Sequence, residues 1–186
     1  MLYRKKRNGS SAGGARAKAL IAWNKKTNEI RSGQLNLDKD YDYWLMKFDN
    51  VSKNGDHGLE DEPEYTLIEY AYYKMALDAG IQMNECRIYS KAGENHFMTK
   101  RFDRIDGKKV HMQSLGAIAH ISYKEPRLCS YEMAAQYMQE MNLPMKDIEQ
   151  FYRRMVFNCI AVNQDDHVKN ISFLMDRSGK WRLSPA

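Results

Sequence analysis

Apolar residues in the first hundred positions come in short runs separated by turn-forming residues. Ala17-Lys18-Ala19-Leu20-Ile21-Ala22-Trp23 reads as a strand. Asn24-Lys25-Lys26-Thr27-Asn28 supplies turn residues after it, which predicts a hairpin. Tyr43-Trp44-Leu45-Met46-Lys47-Phe48 is a second, aromatic-rich strand. Val51 to Leu59 is polar with two glycines and predicts a loop. A helix is expected next. Glu62 and Glu64 suit its positive N-terminal end and Pro63 a first-turn position. Leu67, Ala71, Met75, Leu77 and Ala79 then recur at helical spacing until Gly80. Two strands, Ile81 to Ser90 and Asn95 to Phe102, flank the turn Lys91-Ala92-Gly93-Glu94, and Arg104 to Lys108 forms another turn.

Beyond about residue 112 the period changes. Ser130 opens a helix carrying Met133, Ala134, Tyr137, Met138 and Met141, and Pro144 breaks it. Asp147 to Val162 carries Ile148, Phe151, Tyr152, Met155, Val156, Cys159 and Ile160 at helical period, which predicts a long and largely buried helix. Asn163 to Asn170 is a polar loop. Ile171 to Met175 and Trp181 to Leu183 are short strands around Asp176-Arg177-Ser178-Gly179. Strands with one helix, then helices, then a small hairpin predict an α+β fold of two lobes. The domains are expected at residues 1–111 and 112–186.

Composition narrows the class. The chain has 186 residues, 43% hydrophobic and 28% charged, as in soluble globular proteins. It has no apolar run approaching a bilayer span and no signal peptide, and Cys86, Cys129 and Cys159 read as buried free thiols, so a cytoplasmic location is expected. The net charge of +5 admits a nucleic-acid surface, but the basic residues are scattered outside Arg4 to Arg7. The charge can also come from residues that neutralise a phosphorylated ligand, or from nothing more than solvated lysines.

The densest polar cluster is Asn163-Gln164-Asp165-Asp166-His167-Val168-Lys169-Asn170. Phosphoryl transfer needs a carboxylate that positions the attacking hydroxyl and an oxygen ligand that holds magnesium against the phosphates. Kinases place these five residues apart after a long helix, the spacing of Asp165 and Asn170. A polar helix-to-strand connection is the plainer alternative. A metal site of Asp165, Asp166 and His167 is another, although no second cluster of similar density accompanies it. Upstream, Lys47 lies on a strand and Glu69 on the helix after it, the order of the kinase lysine that contacts phosphates and its helix glutamate. Ser10-Ser11-Ala12-Gly13-Gly14-Ala15-Arg16-Ala17-Lys18 is glycine-rich enough for backbone N–H groups to approach phosphates, yet matches neither common phosphate-loop pattern.

Four stretches together resemble the HipA-like toxin kinase family. They are Gly13 to Leu20, Arg101-Phe102-Asp103-Arg104, Asp165-Asp166-His167-Val168-Lys169-Asn170 and the ending Arg182-Leu183-Ser184-Pro185-Ala186. Order and spacing fit from Ser11 onward.

The resemblance implies a protein-kinase-like two-lobed fold and an ATP- and Mg2+-dependent serine/threonine protein kinase. Gly13, Gly14, Ala15, Lys18, Lys47 and Glu69 would serve the nucleotide, and Lys100 to Phe102 would meet adenine, mostly through backbone. Asp165 would be the catalytic base or hydroxyl-positioning group and Asn170 a magnesium ligand. His167 and Lys169 are both candidates for stabilising transition-state charge. Ser11 falls at the family's autophosphorylation position. The implied partners are a protein substrate such as a translation factor and a DNA-binding antitoxin. Members continue after Leu-Ser-Pro with a Tyr-Asp pair that supplies a second metal ligand. Ending at Ala186, the chain is expected to be a fragment cut within the helical lobe and inactive by itself. A nucleotide-binding fragment that docks an antitoxin without catalysis is the competing function.

Overall fold

The structure, a computed structural model, describes residues 17–49, 65–125 and 128–186. The described chain divides into two compact units. The first takes residues up to Tyr70 together with Cys86–Lys100, and the second takes Ala71–Glu85 and Arg101–Ala186.

The first unit is a five-stranded antiparallel sheet. Its strands are β1 (Lys18–Asn24), β2 (Glu29–Ser32), β3 (Asp42–Lys47), β4 (Cys86–Lys91) and β5 (Glu94–Lys100), in the order β2-β1-β3-β5-β4. The predicted hairpin forms because Asn24 turns its Oδ1 back to accept the backbone N–H groups of Lys26 and Thr27, and Asn28 takes the positive φ of 56° that the reversal requires. Alternation along the strands separates two faces. Trp44, Met46 and Met98 form a core on one face. Ala22, Tyr41 and Tyr43 form another cluster. Residues 81–85 lie outside any strand, so the strand expected from Ile81 starts only at Cys86.

Helix α1 (Tyr65–Asp78) begins in the first unit. The hydroxyl of Thr66 donates to the carbonyl of Asn95 and ties the helix to β5. At its far end Gly80, at φ 73°, closes the helix, with Gly80 N–H bonded to the Leu77 carbonyl and Ile81 N–H to that of Ala76. Of the periodic apolar positions, Ala71, Met75, Leu77 and Ala79 are exposed, while burial falls on Thr66 and Ala76. The residues predicted to start the helix, Glu62 to Glu64, and the loop Val51 to Leu59 lie outside the described residues.

The second unit holds the rest of α1, the two-residue strands β6 (Arg104–Ile105) and β7 (Lys108–Lys109), β8 (His111–Ser114), and helices α2 (Leu115–Ile118), α3 (Tyr131–Glu140) and α4 (Met145–Ile160). It ends with β9 (Ser172–Met175) and β10 (Trp181–Leu183). The terminal hairpin is as predicted, but β8 joins it as a third strand in the order β10-β9-β8, a pairing between segments some sixty residues apart. Ser130 caps α3 by accepting the Met133 N–H. The core gathers Leu115, Met138, Phe151, Val168 and Phe173.

Helix α4 corrects an expectation. It is not largely buried: Tyr152, Cys159 and Ile160 are exposed, Ile160 to 77%. Its inward stripe is Asp147, Phe151, Arg154 and Asn158, at the i, i+4, i+7, i+11 spacing of one helical face. Three of those four are polar, and each reaches a different part of the unit. Asp147 accepts the Leu183 N–H at 2.8 Å, Arg154 donates to the Ser184 carbonyl at 2.5 Å, and Asn158 donates to Asp166 at 2.9 Å. Burial lowers the Arg154 pKa to about 10, with the Asp147 charge partly opposing it. No helix among the described residues is long and apolar enough to cross a membrane.

Candidate active site

In the first unit, the sheet register places Lys18 directly opposite Lys47, both on the same face. Like charges at such a position repel. Glu69, one turn into α1 from the anchored Thr66, forms an ion pair with Lys47, and the two side chains are 28% and 31% exposed. The Lys47 ammonium also lies 5.8 Å from the centre of the Phe97 ring. Burial, and then the nearby Lys47 charge, lower the Lys18 pKa against the opposing pull of Glu69. Among the described residues, two ammonium groups share this face with the Glu69 carboxylate.

Lys100, at the end of β5, pairs with Trp44, on the opposite face from Lys47, and its ammonium meets Asp42 at 2.7 Å. Its side chain is turned away from the lysine cluster, which leaves the backbone of the strand end for any contact on that side. The two units divide after Lys100. Immediately beyond, Asp103 is held by Arg101 through two bonds of 2.8 and 2.6 Å and by Arg104 at 2.6 Å. Burial raises its pKa, but the bonds and charges of Arg101 and Arg104 outweigh this and hold it below the ordinary carboxylate range. Phe102 is half-buried between them in sequence.

In the second unit, the loop after α4 carries the remaining candidates. Val162 starts it in the left-handed region, at φ 54°. Asp165 projects outward, its side chain 94% exposed, with Oδ1 3.8 Å from His167 Nε2. His167 Nδ1 accepts the Lys169 N–H at 3.3 Å, so a neutral ring carries its proton on Nε2, facing Asp165. Asn170 donates its side-chain N–H to the Asp165 carbonyl at 2.5 Å and its backbone N–H to the His167 carbonyl at 2.8 Å. With its N–H spent inward, its Oδ1 is the atom left to ligate. Lys169 lies over the ring of Tyr123, whose centre is also 5.5 Å from that of His167.

The adjacent carboxylates differ sharply. Asp166 turns inward, where its Oδ2 accepts the Tyr131 hydroxyl and the Asn158 amide. Burial, and then the hydrogen bond to Asp166, push the Tyr131 pKa up to about 12. The loop is held from the other side by α2. Gly116 N–H donates to the Val168 carbonyl at 3.0 Å, Leu115 N–H to that of Ile171 at 2.8 Å, and Val168 is buried in the core. A Cβ on Gly116 would stand 2.8 Å from Val168 Cγ2, so only glycine permits this approach.

The structure therefore brings Lys18, Lys47 and Glu69 together in one unit, and Asp165, His167, Lys169 and Asn170 together in the other. Ser11, Gly13, Gly14 and Ala15 lie outside the described residues. Among the described residues no group of three or more His, Cys, Asp or Glu is placed to hold a metal, so Asp165, Asp166 and His167 do not form such a cluster. Tyr123, Tyr131, Asn158 and Gly116 escaped the reading of the sequence. Only the glycine, isolated ahead of an apolar stretch, carries a local signal.

The chain is 28% identical over 156 residues to a Haemophilus influenzae protein named "Putative kinase", covering 74% of this chain and 46% of that protein. It superposes with a TM-score of 0.69 and 18% identity on a chain of the Shewanella oneidensis MR-1 toxin–antitoxin complex of HipA, HipB and operator DNA, over 96% of this chain and 43% of that one. The chain thus spans less than half the length of either relative, and its α+β fold is the kinase-like fold. Residues 10–186 match the HipA-like C-terminal domain, and the chain belongs to that family.

Proposed function

We propose that this chain carries the nucleotide-binding and phosphoryl-transfer site of an ATP-dependent serine/threonine protein kinase of the HipA-like toxin type. The observation that carries the reading is the Lys47–Glu69 ion pair, formed from a strand and a helix in the kinase order. Glu69 holds the ammonium of Lys47 in place, and Lys18 opposite adds a second ammonium on the same face for phosphate oxygens. Asp165 orients the acceptor hydroxyl and takes its proton, a task suited to an outward carboxylate with its backbone carbonyl tied by Asn170. Asn170 Oδ1 is a hard oxygen donor, the kind Mg2+ selects. When bound there, such an ion would neutralise charge on the transferred phosphoryl group.

On the same reading, Ser11 is the autophosphorylation site, the acceptor is a protein hydroxyl, and a DNA-binding antitoxin is the partner, as HipB accompanies HipA in the Shewanella complex. The test is transfer of labelled phosphate from ATP by the full-length polypeptide. Asp165→Asn should lower the rate by about 10²–10⁴-fold while nucleotide binding persists. Equal transfer by that variant, or none by the parent, refutes the reading.

A further inference from the structure

We propose that Tyr131 and Asn158 are positioning residues that set the pose of the Asp165–Asn170 loop through Asp166, and that Asp166 serves as a hydrogen-bond acceptor rather than as a base or metal ligand. The inference rests on the phosphoryl-transfer reading given above. Three observations support it.

The two carboxylates point in opposite directions. Asp165 is almost fully exposed, whereas both bonds to Asp166 end on one inward oxygen, Oδ2. An oxygen already accepting two donors is poorly placed to take a substrate proton.

The donors are anchored in the core. The Tyr131 ring packs edge-on against Phe151, 5.9 Å between centres, and Asn158 stands on the inward stripe of α4. Neither has to be ordered when the loop is used.

The connection continues to the reacting side. Asn163 donates to Asn158 Oδ1 at 3.2 Å, and Asn163 Oδ1 in turn accepts the backbone N–H of Asp165 at 3.2 Å. A line of hydrogen bonds thus runs from α3 and α4 to the backbone that carries Asp165. The left-handed Val162 fits this picture, since a strained valine persists only where its flanks over-determine the chain path.

Three variants of the full-length polypeptide test the proposal, with labelled-ATP transfer and amide hydrogen exchange read on the same preparations. Tyr131→Phe removes one hydroxyl and keeps the ring. It should lower kcat by about 10- to 100-fold with little change in KM for ATP, as small misplacements of catalytic groups do. It should also speed exchange at the Asp165 and Asn170 amides. Asp166→Asn can present a carbonyl oxygen to the same two donors and should retain transfer within about tenfold, whereas Asp166→Leu should match or exceed the loss in Tyr131→Phe. Unchanged exchange in Tyr131→Phe, or faster exchange with full kcat, overturns the proposal. Loss of transfer in Asp166→Asn as deep as in Asp165→Asn also overturns it, because charge rather than acceptance would then be required. If the parent transfers no phosphate yet exchange responds as described, the phosphoryl-transfer reading falls while the hold of Tyr131 on the loop stands.

Discussion

The ammonium of Lys169 stands 3.2 Å from the centre of the Tyr123 ring, so the loop's cation rests on an aromatic face rather than on a carboxylate. His167, not Lys169, is the side chain turned toward Asp165. Both members of the Lys169–Tyr123 pair are exposed, and such contacts are worth about 0.5–1 kcal/mol at exposed sites. A double-mutant cycle of Lys169→Met and Tyr123→Leu, read by urea denaturation, should return a coupling of about that size. A coupling of zero would mean that the two side chains do not hold each other in solution.

The ends of three helices set up a second expectation. Residues at positive φ follow α1, α3 and α4: Gly80 at 73°, Asn142 at 55° and Val162 at 54°. Glycine and asparagine tolerate that region, whereas a β-branched residue does not. Val162 is 69% exposed, so its side chain contributes little packing in return. Val162→Asn should therefore stabilise the protein by about 1 kcal/mol, seen as a higher urea midpoint at unchanged slope. A lower midpoint would show that the valine contributes more than its backbone costs.

A third expectation concerns pH. The Lys18 pKa is lowered in the folded protein from its ordinary 10.5, first by burial and then by Lys47. The unfolded chain then binds that proton more tightly than the folded one. The contribution of Lys18 to stability therefore rises with pH through the window just below 10.5, as the folded protein is relieved of the charge. Lys18→Met removes this contribution. It should raise stability at neutral pH in the absence of nucleotide, and its advantage over the parent should shrink as the pH approaches 10.5. Denaturation midpoints of both proteins across that range decide it, and a constant difference would count against the repulsion between the two lysines.

What the sequence disclosed follows from how local each signal is. Asp165 and Asn170 are five residues apart, and the bond between them is closed within the loop, so their spacing could be read directly. Element order alone points to Lys47 and Glu69, and the fold completes the pair. The difference between Asp165 and Asp166 was invisible, because it is made by Tyr131, thirty-five residues upstream on another helix. The same holds for β8, which has no pattern of its own until β9 lies beside it. On α4 the periodic apolar residues suggested the buried face, while Asp147, Arg154 and Asn158 occupy the inward stripe. A polar side chain signals burial only through the partner it meets, and these partners lie up to thirty-six residues away.

The facing of Lys18 and Lys47 has a consequence for chain length. Their pairing is held by a ladder that also matches Leu20 with Leu45 and Ala22 with Tyr43, so it is independent of how far the intervening chain wanders. Residues added to or lost from the connection between β2 and β3 leave both ammonium groups on the same side. A single residue inserted within β1, between Lys18 and Leu20, turns Lys18 to the opposite face, where Trp44, Met46 and Met98 are packed. Natural length variation should therefore collect in the mostly exposed residues 34–40, between buried Gly33 and Tyr41, and an engineered tag or epitope placed there should spare the lysine pair.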